Sequence, residues 1–346
     1  MLVNFTVRIY REDDYEEYKI LYETVYKTAL NERRFDNSHY NNPNYSGRAL
    51  IFLACNPDGK IIGANSFYPE RVRFEGREYD VAQSGDSIVL EEYRGLGVFL
   101  SLLNESALVL ATEGYALAFG FAGPSSYPGF RKAGYTDLEE IRSYMKILNY
   151  SLFLSRRFQH RHVARTLGKA IDLYFRYRYR GSSLECADYP ITGFHDEIAD
   201  FSSPVTGRAH LVKDNNYFQW KYRPVDDFSY RAVTIYRGKR PIAKFIVREA
   251  STGDYSVGRV IDYRFVEPDW SVESIKCLAR LYRDKGFYAL HTWEMNDQGI
   301  ATGWQKNRAF SRPNSLFLVI KSLRETDQLP SDPEKWRFVP ADADTT

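Results

Sequence analysis

Scarce features narrow the class of this chain first. Only three cysteines occur among 346 residues, Cys55, Cys186 and Cys277, far apart and in no CxxC or Cys/His cluster. That spacing excludes a thiolate zinc site, speaks against a disulfide framework and fits a reducing compartment. An excess of one charge is also missing: 47 Lys and Arg against 45 Asp and Glu leave a formal net charge of +2. The whole chain therefore lacks the electrostatic footprint of a polyanion binder, which disfavours nucleic acid as a partner. No apolar run approaches the roughly 18 residues of a membrane-spanning helix. The N-terminus, Met1-Leu-Val-Asn-Phe-Thr-Val-Arg8, lacks the long apolar core of a signal peptide. The expectation is a cytoplasmic protein with no membrane span and no metal.

Apolar and aromatic residues are plentiful instead. Hydrophobic residues make up 44% of the chain and aromatics 16%, so a packed core is affordable and general disorder is excluded. Tyr and Phe, at 27 and 22, favour strands and suit grooves that hold extended ligands. The length allows two domains of ordinary size.

The chain is organised around Val81 to Ala111. Ser87 to Leu90 is β-prone, Arg94-Gly95-Leu96-Gly97 lacks side chains at two positions, and Phe99, Leu102, Leu103, Ser106, Ala107 and Leu110 recur at helical spacing. This reads as strand, glycine turn and helix. The unpaired N–H groups that open such a helix carry partial positive charge, so the turn is either a plain connection or a cradle for an anion, pyrophosphate first among them.

Before it, Phe5 to Tyr10 reads as a strand and Glu12 to Leu30 as a helix with Tyr15, Tyr18, Leu21, Tyr22 and Val25 on one face. Asp36 to Gly47 is rich in asparagine and reads as a loop or broken helix near a site. Antiparallel strands follow, turning at Asn56-Pro-Asp-Gly59 and Glu75-Gly76. Beyond the helix come a strand at Ala116 to Ala122, a short helix closed at Gly134 and a strand at Ile141 to Leu148. Residues 151–180 carry eight Lys and Arg against Asp172, with Val163, Leu167, Ile171, Tyr174 and Phe175 at helical spacing. This is an amphipathic linker helix with a solvated basic face, or a basic wall for acidic ligands; a nucleic-acid or membrane-surface role is the weaker alternative, because the remaining chain is not basic. From Tyr189 the order of meander, helix, strand, helix and strand repeats, but Glu267-Pro-Asp-Trp-Ser271 stands where the glycine turn should be. The expected layout is 1–150, a basic linker helix at 151–188, a second unit at 189–325 and a polar tail at 326–346 that packs only by Trp336 and Phe338.

Tyr93-Arg94-Gly95-Leu96-Gly97-Val98 after a strand, with Phe130-Arg-Lys-Ala-Gly134-Tyr135 beyond the next strand, resembles the GNAT superfamily of N-acetyltransferases. Arg94-Gly-Leu-Gly-Val looks like that family's pyrophosphate loop and Phe130 to Tyr135 like its second motif. The resemblance covers about residues 1–150, and the second half looks like a degenerate copy. It implies an α+β fold of two tandem acyl-CoA N-acyltransferase-like domains, each a mostly antiparallel, splayed central sheet flanked by helices. It also implies acetyl-CoA as co-substrate and a small-molecule amine as acceptor, an amino sugar of a polysaccharide pathway being one class. The N–H groups from Gly95 through Leu96, Gly97 and Val98 to Phe99, with Arg94, would hold the pyrophosphate. Main-chain groups of Ile88, Val89 and Leu90 would pair with the pantetheine like an added strand.

Amine acylation needs a base, since an alkylamine with a pKa near 10 is about a thousandth deprotonated at pH 7. Asp86, in a mostly apolar strand, serves either as that base or as a structural hydrogen-bond partner. Glu91 and Glu92 read as an exposed turn. Phe130 stands where the family usually has a Tyr that protonates the leaving thiolate; Phe130 would then only contact the cofactor, and Tyr127 either substitutes as the acid or packs under the loop. Ser125 and Ser126 either bond CoA or cap a helix. His39 either touches substrate or is solvated. The missing Tyr and the blank second copy also motivate a non-catalytic acyl-CoA-binding protein. The tandem layout and basic helix motivate an aminoacyl-tRNA-dependent transferase of the peptidoglycan type. The sequence leaves a homodimer open.

Overall fold

The computed structural model describes residues 4–45, 47–178, 183–191, 201, 205–222, 229–253, 255–324 and 329–343. Buried runs in β2 (Leu50–Cys55), β3 (Ile61–Phe74) and the middle of β4 (Arg77–Val89) form an antiparallel meander flanked by the short β1 (Thr6–Ile9). Two helices precede it, α1 (Tyr15–Tyr26) and α2 (Glu32–His39). Thus part of the asparagine-rich stretch is helical, started by the Asn31 side chain accepting from the Arg34 N–H. After β4 come α3 (Val98–Thr112), β5 (Leu117–Ala122), α4 (Tyr127–Lys132) and β6 (Thr136–Ile147).

The second half repeats that order. β9 (Ser229–Arg237), β10 (Arg240–Thr252) and β11 (Tyr255–Phe265) form a meander, helix Ser271–Asp284 follows, and β12 (Ala289–Glu294) returns parallel to β11, as β5 returns parallel to β4. Helix Gln298–Lys306 and β13 (Phe310–Ser322) close it. The closing strands are exchanged. β13 pairs with β5 of the first half, and β6 pairs with β12 of the second. β6 and β13 also pair with each other, so one mostly antiparallel sheet runs through both halves in the order β1-β2-β3-β4-β5-β13-β6-β12-β11-β10-β9-β7, where β7 is Leu184–Ile191.

Residues 150–178 form two helices, α5 (Tyr150–Arg157) and α6 (Arg161–Arg178), rather than one linker helix. Asp172 of α6 accepts from the first N–H groups of α5, at Tyr150 (2.6 Å) and Ser151 (3.0 Å), and folds the pair back on itself.

The tail holds on by more than its aromatics. β14 (Trp336–Arg337) lies parallel to β8 (Ala209–Leu211), which borders β3. Trp336 and Phe338 stack at 5.5 Å over the core of Val72, Val81, Phe119 and Leu318. Buried Lys213 bridges Asp262 (2.7 Å) and Asp342 (2.8 Å), and Gln83 of β4 donates to the Asp342 carbonyl at 3.0 Å. The cysteines also differ from expectation: Cys186 of β7 and Cys277 of helix Ser271–Asp284 are disulfide-bonded across 91 residues. Sequence distance hid a pair that β7 creates by packing on that helix. Among the described residues no helix is long and apolar enough to cross a membrane, and no group of His, Cys, Asp or Glu is arranged to hold a metal.

Candidate active site

One extra residue in β4 shapes the site. Ala64 pairs with Ile88 and Ser66 with Gly85, so three steps on β4 match two on β3. The surplus is a β-bulge, and within it Asp86 has φ +42°, a left-handed conformation that Asp tolerates better than most side chains. The bulge turns β4 away from β5. Their parallel pairing runs from Val81–Leu117 to Ser84–Gly120 and stops there, while β5 continues to Ala122 beside β13. The strands open into a cleft of about 600 Å³.

The walls of that cleft bring together residues that the sequence singled out. Val89, Arg94, Gly95, Gly97, Val98 and Phe99 line one side and Ser125, Ser126, Pro128 and Gly129 the other, with Tyr26, Ser87 and Lys132. Gly95 and Gly97 have φ +75° and +86°, and a Cβ on either would meet nothing within 4 Å, so open space lies in front of the turn. Gly97 caps α3. The first in-helix bond is Ser101 N–H to Gly97 carbonyl, at 3.0 Å, which leaves the preceding N–H groups of the helix facing the opening. A pyrophosphate fits this end by charge and by space.

Of the three residues expected to pair with a pantetheine, Val89 has the right orientation. The Leu90 N–H donates to Ile62 at 3.0 Å, so by antiparallel alternation Leu90 and Ile88 turn their main chains to β3 and Val89 turns its own to the cleft. The Arg94 Nε donates to the Val89 carbonyl at 3.2 Å and ties the glycine turn to the strand. Ile88 is buried, Leu96 points into solvent, and Glu91 and Glu92 form an exposed 3₁₀ turn.

Two further expectations are placed elsewhere. Phe130 is 3% exposed and lies beneath the cleft, edge-on to Phe99 at 5.4 Å and against the site where a Gly120 Cβ would be. Tyr127 turns away from the cleft. Its ring stacks on Phe317 at 4.2 Å and its hydroxyl donates to Asp137 at 2.7 Å, which raises its pKa. Ser126 precedes α4 without capping it; its hydroxyl donates back to the Gly123 carbonyl at 3.2 Å.

Asp86 directly precedes Ser87 of the cleft wall and sits among tyrosines. Asp86 accepts from the buried Tyr68 hydroxyl at 2.5 Å. Burial raises the pKa of Asp86, against the lowering effects of the Tyr68 hydrogen bond and the Arg34 charge. The same carboxylate raises the phenols of Tyr18, Tyr22 and Tyr26 from α1, after burial itself. His39 is buried rather than solvated, packed between Phe35 (4.7 Å) and Tyr68 (5.1 Å), and burial drops its pKa to about 3, so it is neutral. The second half contacts α2 and β3 of the first. Trp220 Nε1 donates to the Asn37 carbonyl at 2.7 Å, and Arg71 of β3 reaches Asp214 at 2.5 Å. The sequence alone does not reveal Tyr68, Tyr26 or Ser87 as site residues. The tyrosine spacing on α1 was visible, but only the fold turns it toward Asp86.

Among the described residues nothing equivalent stands in the second half. There Trp270, with φ −75°, precedes the helix, its ring covered by Arg237 at 5.1 Å.

Comparison with known proteins agrees with this geometry. Residues 6–137 match the family model for the acetyltransferase (GNAT) domain. No curated protein sequence matches the chain significantly. Among solved structures, a GCN5-related N-acetyltransferase from Anabaena variabilis superposes with a TM-score of 0.63 at 14% identity, over 93% of this chain and 73% of that one. A conserved protein from Enterococcus faecalis described as a probable N-acyltransferase gives the same values. Saccharomyces cerevisiae N-myristoyltransferase with bound myristoyl-CoA superposes with a TM-score of 0.57 at 11% identity, over 97% of this chain and 84% of that one. At these identities the superpositions speak for the fold, and the family match is confined to residues 6–137, which carry a GNAT acetyltransferase domain.

Proposed function

We propose that the protein is an acyl-CoA-dependent N-acyltransferase that moves an acetyl group from acetyl-CoA to a small amine, with an amino sugar as the first class to test. The observation that supports the reading is a half-buried carboxylate, Asp86, one residue before Ser87 in the wall of a cleft that also holds the glycine-capped start of α3.

Acyl-CoA supplies an activated thioester. The α3 N-terminus and the Arg94–Gly97 turn bind its pyrophosphate, and the Val89 main chain lines its pantetheine, with the Val89 N–H available to polarise the thioester carbonyl. The acceptor amine enters past Tyr22 and Tyr26, whose rings suit a sugar face or an alkylammonium. Asp86 takes the amine proton. The neutral nitrogen then attacks the carbonyl carbon, the C–N bond forms, the C–S bond breaks, the thiolate leaves and the second proton shed by the nitrogen passes to solvent. A thiol of pKa near 8.5 leaves adequately as the thiolate, so the reading needs no acid from Tyr127, which is turned away. We read the second half as a degenerate copy that serves as the far wall of the acceptor pocket through Trp220 and Asp214.

The test is release of free CoA by the purified protein with acetyl-CoA and an amine panel that includes amino sugars. Turnover with an acidic limb set by Asp86 supports the reading. The placement of Tyr127 favours one rival, a non-catalytic acyl-CoA-binding protein; binding with no CoA release from any amine or amino sugar would establish it. Binding of aminoacyl-tRNA without acetyl-CoA turnover would replace both.

A further inference from the structure

Helix α6 presents a face that the fold leaves uncovered. Ala164, Gly168 and Phe175 turn inward, and a Cβ on Gly168 would meet the Ser151 main chain at 2.3 Å, so α5 and α6 touch backbone to backbone. At 100° per residue the next sector of the helix carries Val163, Leu167, Leu173 and Tyr177. They are 71%, 58%, 66% and 75% exposed. Tyr174 joins them, with Arg308 over its ring at 5.9 Å. Lys169 and Arg176 border the opposite edge, so cations flank the apolar stripe on both sides. Beside Leu173 a recess of about 420 Å³ is lined by Lys169, Arg176 and Arg283. Its acid, Asp172, is engaged with the N–H groups that open α5.

We propose that this face of α6 docks the protein on the surface of an anionic lipid bilayer. Val163, Leu167, Leu173 and Tyr177 enter the boundary between headgroups and acyl chains, and the recess at Lys169 and Arg176 meets a lipid phosphate. Exposed aliphatic side chains would gain nothing from a nucleic acid, which is read by charge and stacking. A second copy docking face to face would set Lys169, Arg176 and Arg308 against the same cations of its partner, without acids to match. A bilayer of anionic lipid satisfies the apolar stripe and the flanking charges together. The proposal does not depend on the acyltransferase reading.

The experiment is co-sedimentation of the full chain with mixed phosphatidylglycerol and phosphatidylcholine vesicles, and with phosphatidylcholine alone. We expect partition onto the anionic vesicles at least about tenfold stronger than onto the neutral ones, falling as salt rises. Two variants, Val163→Ser/Leu167→Ser/Leu173→Ser and Lys169→Glu/Arg176→Glu, change exposed positions only and should each cut that partition about tenfold while thermal melting is unchanged. No partition of the wild type, equal partition onto both vesicles, or wild-type partition by both variants overturns the proposal. So does a salt-resistant dimer that the serine variant dissociates, which would assign the face to a second copy, or tight RNA binding without vesicle binding.

Discussion

Tyr68 reaches Asp86 although the two are not opposite each other in the sheet. Tyr68 pairs in register with Gln83, and its hydroxyl donates to Asp86 Oδ2, three positions further on, at 2.5 Å. Two local features make this possible. The bulge swings Asp86 back over the strand at φ +42°, and Gly85 has no side chain where the Tyr68 ring lies. A Cβ on Gly85 would stand 2.5 Å from Tyr68 Cε2. Bulge, glycine and tyrosine form one device that holds the Asp86 carboxylate next to Ser87 of the cleft wall.

Asp86→Asn should lower turnover about 10²–10⁴-fold at pH 7, the range for loss of a general base, and leave acetyl-CoA affinity alone. Because burial raises the folded-state pKa of Asp86, wild-type activity should fall as pH drops through that raised value, above the usual carboxylate range, and the variant's residual rate should lack this limb. The stability consequence has the opposite sense. The folded protein holds this proton to higher pH than the unfolded chain, so the Asp86 contribution is lost as pH rises through the folded value. Thermal melting at pH 7 should therefore show the Asn variant at least as stable as wild type, since Asn also tolerates the left-handed backbone.

Gly85→Ala and Tyr68→Phe should have the same kinetic phenotype. Each removes the hydroxyl from Asp86, the first by displacing the ring and the second by deleting the donor, so the carboxyl pKa rises further. The acidic limb of the pH–rate profile should move to higher pH in both. A limb that stays in place in Tyr68→Phe would separate Tyr68 from the function of Asp86.

Gly129→Ala tests the floor of the cleft. A Cβ there would lie 2.5 Å from the Phe99 ring, which lines the opening. Alanine in a helix is ordinarily favourable by about 0.5–1 kcal/mol, so melting should change little while Phe99 is pushed into the cleft. The KM for acetyl-CoA should rise about tenfold, an effect of roughly 1.4 kcal/mol, with kcat for the amine less affected. An unchanged KM would mean that Phe99 does not touch the donor.

Lys213→Met tests how the tail is held. Lys213 is buried with Asp262 and Asp342 as its partners, and both carboxylates would be left without it. Breaking such a buried pair from one side costs about 3–5 kcal/mol. The variant should unfold at correspondingly lower denaturant and expose the tail to limited proteolysis, read by mass spectrometry at residues 329–343.

Much of this was legible in the residues. Arg94 to Gly97 and the period of Phe99 to Leu110 specify a strand–turn–helix locally, because glycine φ angles and helical spacing are short-range properties. Asp86 stood out as a carboxylate in a mostly apolar stretch of strand. The rest depends on long-range pairing. The exchange of β6 and β13 leaves no trace in either strand, since both read as ordinary apolar strands wherever they pair. Cys186 and Cys277 meet only because β7 packs on a helix that comes much later. The turn of Tyr127 toward Asp137 and Phe317 needs β6 and β13 in place. The burial of Asp342 contradicts the polarity of the tail, and its ionic partner Lys213 and the Val339 N–H explain it.

The central claim is that the start of α3 holds acyl-CoA. Isothermal titration of acetyl-CoA into wild type, Gly97→Ala and Gly97→Glu tests it most directly. Both variants carry the same backbone strain at φ +86°, so their difference reports the added carboxylate side chain and not that strain. The account predicts one site in the wild type, a modestly weakened site in Gly97→Ala and no detectable binding in Gly97→Glu, whose carboxylate would meet the pyrophosphate. Equal affinity of the two variants, or no heat of binding in the wild type, would contradict it.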